Sequence, residues 1–426
     1  MSDARRFAFD LIDAVLAARR PLDDAFAEHS DGLALAPRDR AFARLIAATV
    51  LCRLGQIDAI IDRFVTRPPR GKGARVRSVL RVGLVQLLFL ETPAHAAVST
   101  TVTLARAAGL AGFSGLVNAV MRRAAADAPA IVADQDAAAL NTPAWLFESW
   151  RGSYGDDAAR AIAEAHLAEP PLDLTVKADP ERWATALGGA VLPTGSVRLA
   201  EAGDVTALEG FATGDWWVQD AAAALPARLL GDVAGQRVID LCAAPGGKTA
   251  QLVLAGARVT AVDRSGPRLR RLQQNLDRLG LTAEIVTADA VQWRPDAPAD
   301  AVLLDAPCSA TGTIRRHPDI ARLKTAADVN RLADVQARLL AAAADMLAPG
   351  GRLVYATCSL QAEEGEHQLR AFLDANERLR ADPVQADELP DLAASIRPDG
   401  SVRTLPSTWA PHGGMDGFFI ARLSRT

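Results

Sequence analysis

The sequence predicts a multidomain chain: an all-α bundle over residues 1–140, a small α+β module over 141–230, and an α/β doubly wound domain over 231–426. Three observations predict it. Apolar residues recur at helical spacing through the first 140 positions. Short strand-like stretches then mix with helical ones to about residue 230. From Gly235 onward apolar strands and helical segments alternate, the rhythm of a parallel sheet covered on both faces.

In the first segment the spacing shows in Phe7-Leu11-Val15, Leu45-Ala48-Leu51 and Leu80-Leu84-Leu87. Breaks fall at Pro21, Pro37, the Pro68-Pro69-Arg70-Gly71 turn, Pro93 and Gly109, which leaves short helices joined by turns. In the middle module, strands are expected at 172–177 and 196–199, with a helix over 179–187. In the last domain they are expected at 237–241, 258–262, 284–287, 301–304 and 352–356. A final pair, 402–405 and 418–423, suits antiparallel strands at the sheet edge.

The 426 residues are 50% hydrophobic and 23% charged, an ordinary globular composition for a chain of several domains. A formal charge of −4 gives no whole-chain signal for nucleic acid. Locally, Arg63, Arg67, Arg70, Lys72, Arg75, Arg77 and Arg81 fall in a window without a carboxylate, either a solvated helix face or a phosphate-binding strip. The four cysteines, Cys52, Cys242, Cys308 and Cys358, form no CxxC pair and no disulfide framework, so no metal site is expected. They fit a reducing cytoplasm. The apolar run over 82–90 is too short to cross a bilayer, and Asp3, Asp10 and Asp13 argue against a leader peptide. The expectation is a cytoplasmic monomer without membrane or metal partners.

An open parallel sheet binds ligands beyond the carboxyl ends of its strands, near the point where strand order reverses. The first strand of the last domain runs into Cys242-Ala243-Ala244-Pro245-Gly246-Gly247-Lys248. Small residues and two glycines let backbone approach a ligand, and the helix that follows points free N–H groups at it. The next three strands end at Asp263, Asp289 and Asp305. One such carboxylate is as readily a helix cap as a ligand. Three beside a glycine turn are harder to explain by capping, and they imply a ligand with a ribose, an amine and an anionic group. Gly247-Lys248-Thr249 resembles the end of a P-loop, but Cys242 stands where that loop needs its first glycine. The GxGxxG dinucleotide fingerprint is absent as well.

Strand four continues into Asp305-Ala306-Pro307-Cys308-Ser309, and strand five into Thr357-Cys358-Ser359. A lone cysteine is usually core packing. Strands four and five are expected to be neighbours, and two cysteines at their matched ends beside a cofactor crevice point to chemistry instead. Carbon 5 of cytosine is a poor nucleophile until a thiolate adds at carbon 6 and makes it enamine-like. A carboxyl group at ring nitrogen 3 assists that addition, and a second group near carbon 5 assists release of the thiol afterwards.

These motifs, Cys242-Ala-Ala-Pro-Gly-Gly-Lys248, Leu304-Asp-Ala-Pro-Cys-Ser309 and Tyr355-Ala-Thr-Cys-Ser359, with a terminal Asp416-Gly-Phe-Phe419, resemble the Sun family of RNA cytosine-C5 methyltransferases. The resemblance covers nearly the whole chain. It implies a Rossmann-like class I methyltransferase domain, with S-adenosylmethionine held by residues 242–248, Asp263, Asp289 and Asp305. It implies Cys358 as nucleophile, Cys308 in product release, Asp305 at the cytosine edge, and Lys248 in the supporting hydrogen-bond network. Thr313-Ile-Arg-Arg-His-Pro-Asp-Ile320 resembles the bacterial subfamily acting on small-subunit rRNA, which implies 16S rRNA as partner. Segments 80–90, 93–98 and 115–118 are similar to the NusB RNA-binding fold, and the middle module resembles the family's small RNA-binding domain. Just beyond Cys308, Arg315, Arg316 and His317 are candidates for RNA phosphate contact, or else ordinary loop charge. The residues are also compatible with a non-catalytic RNA-binding or assembly factor, a nucleotide hydrolase on the Gly-Gly-Lys-Thr turn, or methylation of tRNA.

Overall fold

The computed structural model describes residues 4–30, 35–200 and 203–426. The chain divides into two compact units, Met1–Ala168 with Ile314–Thr325, and Glu169–Thr313 with Ala326–Thr426.

The first unit is helical. Its helices include Ala4–Leu16, Pro37–Cys52, Leu54–Phe64, Val76–Leu88, Ala94–Ala107 and Ser114–Ala133, packed around Phe7, Leu11, Ile46, Ile57, Val82 and Leu84. Val76–Leu88 is buried on nearly every side, which its dense apolar run requires. Its Gly83 lets neighbouring helices close in: a Cβ there would meet Thr101 Oγ1 at 2.5 Å and Met121 Sδ at 2.7 Å.

Ala144–Tyr154 and Asp156–Ala165, expected within the middle module, cluster with this unit. The chain leading to them is tied in at Asn141, whose amide accepts the Gln56 N–H at 3.1 Å and donates to Gln56 Oε1 at 2.9 Å. The short segment Ile314–Thr325, expected in the last domain, is also part of the helical unit. There Asp319 accepts the Leu22 N–H at 3.0 Å, and Arg322 donates to the Asn141 carbonyl at 2.7 Å. The basic window is partly neutralised within the unit. Arg75 pairs with Asp13 at 2.6 Å, Arg77 with Asp62 at 2.6 Å, and Arg81 with Asp58 at 2.7 Å. Those carboxylates sit on other helices, so no local window of sequence pairs them with these arginines. Arg63, Arg67, Arg70 and Lys72 remain exposed.

The second unit carries two sheets. The smaller is antiparallel, in the order β2-β3-β1-β4, built from β1 (Leu172–Val176), β2 (Ala190–Val191), β3 (Val197–Leu199) and β4 (Trp216–Val218). Trp216, Trp183, Leu174 and Val197 form its core with helix Pro180–Leu187. Strands β2 and β4 were not among the expected ones; at two and three residues they are too short to show alternation.

The larger sheet contains β5 (Arg237–Leu241), β6 (Arg258–Asp263), β7 (Glu284–Thr287), β8 (Ala299–Asp305), β9 (Leu347–Thr357), β10 (Leu379–Ala381), β11 (Val402–Thr404) and β12 (Phe418–Arg425). Its order is β10-β12-β9-β8-β5-β6-β7, with β11 paired to β12. Strands β5 to β9 run parallel, and β12 is antiparallel to β9, as the terminal pair of expected strands suggested. Alternate residues face two separate cores. Val238, Ala301, Leu303 and Val354 join one; Ile239, Val302, Leu304 and Leu353 join the other. That period of two, apolar on both sides, is the signature of a strand buried on both faces. Strand order reverses between β5 and β8, so their carboxyl ends open the crevice. Among the described residues, no helix is long and apolar enough to cross a membrane.

Candidate active site

The crevice begins where β5 leaves the sheet. Cys242 (φ 60°) and Gly246 (φ 102°) turn the chain back so that helix Gly247–Leu254 starts at the strand end. At Gly246 both the dihedral and the space exclude a side chain, since a Cβ would lie 2.8 Å from Leu272 Cγ. Beneath the turn, Asp240 is fully buried. The Thr249 hydroxyl donates to its Oδ2 at 2.6 Å, and Oδ1 has no partner. Burial pushes this carboxyl up to about 7. Thr249 and Lys248 oppose the rise, while Asp305 and Asp263 add to it.

Asp263 ends β6 and is almost fully buried. It accepts the Ser265 N–H at 2.9 Å and pairs with the mostly exposed Arg268 guanidinium at 3.3 Å. Asp289 is exposed and accepts the Val291 N–H at 2.9 Å, so it closes its own turn. Asp305 ends β8 and accepts from Lys248 Nζ at 2.7 Å. Burial works against the Lys248 cation, but Asp305, Cys358 and Asp240 outweigh it and hold its pKa above the ordinary lysine value.

The two cysteines meet. Strands β8 and β9 are neighbours in a register that sets Asp305 opposite Ala356. Cys308 and Cys358 each follow shortly after, and their sulfurs are 3.4 Å apart as free thiols. The Gly312 N–H donates to the Cys358 carbonyl at 2.9 Å, and the Gly417 N–H to the Gly312 carbonyl at 2.9 Å, stitching the Cys308 loop to the ends of β9 and β12. The hydrogen bond with Cys358, then burial, then the charges of Cys358 and Glu364, drive the Cys308 thiol well above its usual range. The Cys242 thiol is pushed up to about 12 by burial first and by three aspartates next, which makes it a protonated lining group at neutral pH.

Glu364 is not among the residues expected at the site. Fully buried, it accepts from Ser309 and Ser359, the residues that follow the two cysteines, and from Gln336. Nothing in the Glu363-Glu364 pair sets it apart from a solvated acidic run. Arg268 at Asp263 is likewise unexpected. Arg315, Arg316 and His317 belong to the helical unit: Arg315 is only 7% exposed, and His317 Nδ1 lies 3.3 Å from Asp23. Asp23 is correspondingly held well below the usual carboxylate range, chiefly by its hydrogen bond with His317.

A doubly wound sheet with a glycine turn after its first strand, carboxylates ending β6 and β8, and a third two residues past β7 defines a class I methyltransferase domain. Residues 227–424 match the family model described as 16S rRNA methyltransferase RsmB/F, and residues 2–126 match the NusB family. The ribosomal RNA small subunit methyltransferase B of Vibrio cholerae is 37% identical over 91% of this chain and 90% of its own. The protein of the same name in Pseudomonas syringae pv. tomato is 36% identical over 98% of this chain and 96% of its own. The chain belongs to the ribosomal RNA small subunit methyltransferase B family. In fold it is similar to the crystal structure of PH0851, at a TM-score of 0.75, 23% identity and 99% coverage of both chains.

The cofactor of this class is S-adenosylmethionine, and the donor set suits it. The 242–247 turn is free of bulky side chains, and the carboxylates Asp263, Asp289 and Asp305 stand at or just beyond the ends of the neighbouring strands.

Proposed function

We propose that this protein transfers a methyl group from S-adenosylmethionine to carbon 5 of a cytosine in 16S rRNA, through a covalent bond from Cys358 to carbon 6. The observation that carries the reading is the 3.4 Å contact between two free thiols, one from each of two adjacent strand ends, beside the Lys248–Asp305 pair. The family match supplies the RNA class.

Bound S-adenosylmethionine supplies an electrophilic methyl. The remaining steps fall to the chain's own side chains. The Cys358 thiolate, with the Lys248 cation nearby, adds to carbon 6. The ring electrons move toward nitrogen 3, where the Lys248–Asp305 pair provides the proton. Carbon 5, now nucleophilic, takes the methyl. To finish, the carbon 5 proton passes to Cys308 as Cys308 gives its own proton to the departing Cys358 sulfur. The C5–C6 double bond re-forms as the nitrogen 3 proton returns to the Lys248–Asp305 pair, and the Cys358 thiol then loses its proton to solvent. A Cys308 that stays protonated and touches Cys358 suits that exchange. Arg316 and His317, with the exposed Arg63, Arg67, Arg70 and Lys72, offer sequence-independent phosphate contacts; Arg315 is too buried to offer much.

Incubation of each variant with unmodified 16S rRNA and labelled cofactor tests the reading. Cys358→Ala transfers no methyl. Cys308→Ala accumulates as a protein–RNA adduct that survives denaturing electrophoresis. Full turnover by Cys358→Ala refutes the mechanism.

A further inference from the structure

We propose that Glu364 is the positioning residue of the two-sulfur site, its single buried carboxylate gripping both Cys-Ser turns and so setting how the sulfurs of Cys308 and Cys358 meet. This deepens the two-thiol reading above and rests on it for its role in catalysis.

One oxygen of the carboxylate accepts the Ser309 N–H at 2.9 Å and the Gln336 Nε2 at 3.0 Å. The other accepts the Ser359 hydroxyl at 2.6 Å and the Ser309 hydroxyl. Each serine directly follows a cysteine, so a single acceptor sits one residue from each sulfur although β8 and β9 bring the two from distant parts of the chain. The turn is held from the other side as well. The Glu364 carbonyl accepts from the Tyr355 hydroxyl at 2.7 Å and from Thr357 Oγ1 at 3.2 Å, both on β9. Gln336, from helix Ala326–Met346, also donates to the Pro307 carbonyl at 3.0 Å, one residue before Cys308.

Burying a carboxylate is costly, and packing alone is served as well by an apolar side chain of that size. Several donors converging on this one, from both cysteine turns, fit a requirement for geometry rather than for volume. The group also distinguishes two otherwise similar thiols. Its charge adds to the rise of the Cys308 pKa, whereas the electrostatic partner of Cys358 is the Lys248 cation.

The test separates geometry from catalysis. Diamide oxidises two adjacent thiols to a disulfide and is itself reduced to the hydrazine. The rate of Cys308–Cys358 cross-linking in the full chain, read by peptide mass spectrometry, therefore reports sulfur placement without RNA or cofactor. Glu364→Ala is expected to slow the cross-link by about tenfold or more and to lower methyl transfer with it. Glu364→Gln, which keeps the size and one acceptor oxygen, recovers most of the cross-linking rate. A wild-type cross-linking rate in folded Glu364→Ala overturns the proposal. Should circular dichroism show Glu364→Ala unfolded, the Ser309→Ala/Ser359→Ala double variant removes the two hydroxyl donors instead; slowed cross-linking supports the proposal and an unchanged rate overturns it. Slowed cross-linking with undiminished methyl transfer keeps the positioning role and removes the two-thiol mechanism.

Discussion

Asp240 makes the stability of the second unit depend on pH in a direction opposite to that of most carboxylates. Its side chain is fully buried, one oxygen lacks a partner, and its pKa stands at about 7 against an ordinary 3.8. The folded chain therefore holds a proton there that the unfolded chain has released. A carboxyl raised in this way contributes stability that is complete below the unfolded value and lost as pH rises through the folded one. Each pKa unit is worth about 1.4 kcal/mol, so moving from about pH 5.5 to about pH 8.5 removes roughly 2 kcal/mol. Beyond the folded pKa the loss levels off.

Asp240→Asn isolates this contribution. The amide is neutral at both pH values and still accepts from Thr249, and whatever its NH2 costs in place of the unpartnered oxygen is the same at each pH. Other titrating groups act alike in the two chains and cancel in the difference. Thermal denaturation of both chains at the two pH values should show the variant gaining on the wild type by about 4–8 °C on going to the higher pH, at roughly 2–4 °C per kcal/mol for a unit of this size. Parallel curves, with a constant offset between the chains, refute the reasoning and mean that Asp240 is ionised throughout.

Three further outcomes follow from the geometry. Arg198 forms a buried pair with Asp173 at 2.6 Å and donates to the carbonyls of His412 and Gly414 at 2.8 and 2.7 Å, so Arg198→Met strands a buried carboxylate and should cost about 3–5 kcal/mol in urea denaturation of the second unit. Lys248→Met takes the cation from Asp305 and Cys358, and single-turnover methyl transfer should fall by about 100-fold or more while the far-ultraviolet circular dichroism stays that of the wild type. Asp263→Ala removes the buried carboxylate at the end of β6; if it accepts from the ribose as its position suggests, S-adenosylmethionine affinity by calorimetry should weaken by roughly 10- to 100-fold, the worth of one or two hydrogen bonds to a charged group.

What was legible in the sequence was local or periodic. The alternation in β5, β8 and β9 follows from a sheet with a core on each face, and a strand end followed by a glycine turn is a contiguous signal. The adjacency of β8 and β9 was legible too, because a doubly wound sheet restricts the possible strand orders. Pairings across the chain were not legible. Arg75, Arg77 and Arg81 form a basic stripe until Asp13, Asp58 and Asp62 arrive from other helices. Ile314–Thr325 reads as a loop of the last domain until Asp319 and Arg322 bind Leu22 and Asn141 in the helical unit. Trp216–Val218 shows too few residues for its period to emerge.

The same distinction separates the two sulfurs. A Pro-Cys-Ser and a Thr-Cys-Ser motif are nearly equivalent as strings, and it is their family resemblance, not their own residues, that names Cys358 as the attacking thiol of the proposed mechanism. The difference between the thiols depends on partners supplied by other parts of the chain. Lys248, at the start of the helix after β5, interacts with Cys358 through its charge, while Glu364, in the turn after β9, bonds the serines that follow both cysteines and adds its charge to the rise of the Cys308 thiol. Moving either charge would leave both motifs intact and change their chemistry, so the motif residues by themselves do not fix the proposed polarity of the pair. The polarity belongs to the sheet, which brings one cation and one carboxylate to the ends of two neighbouring strands.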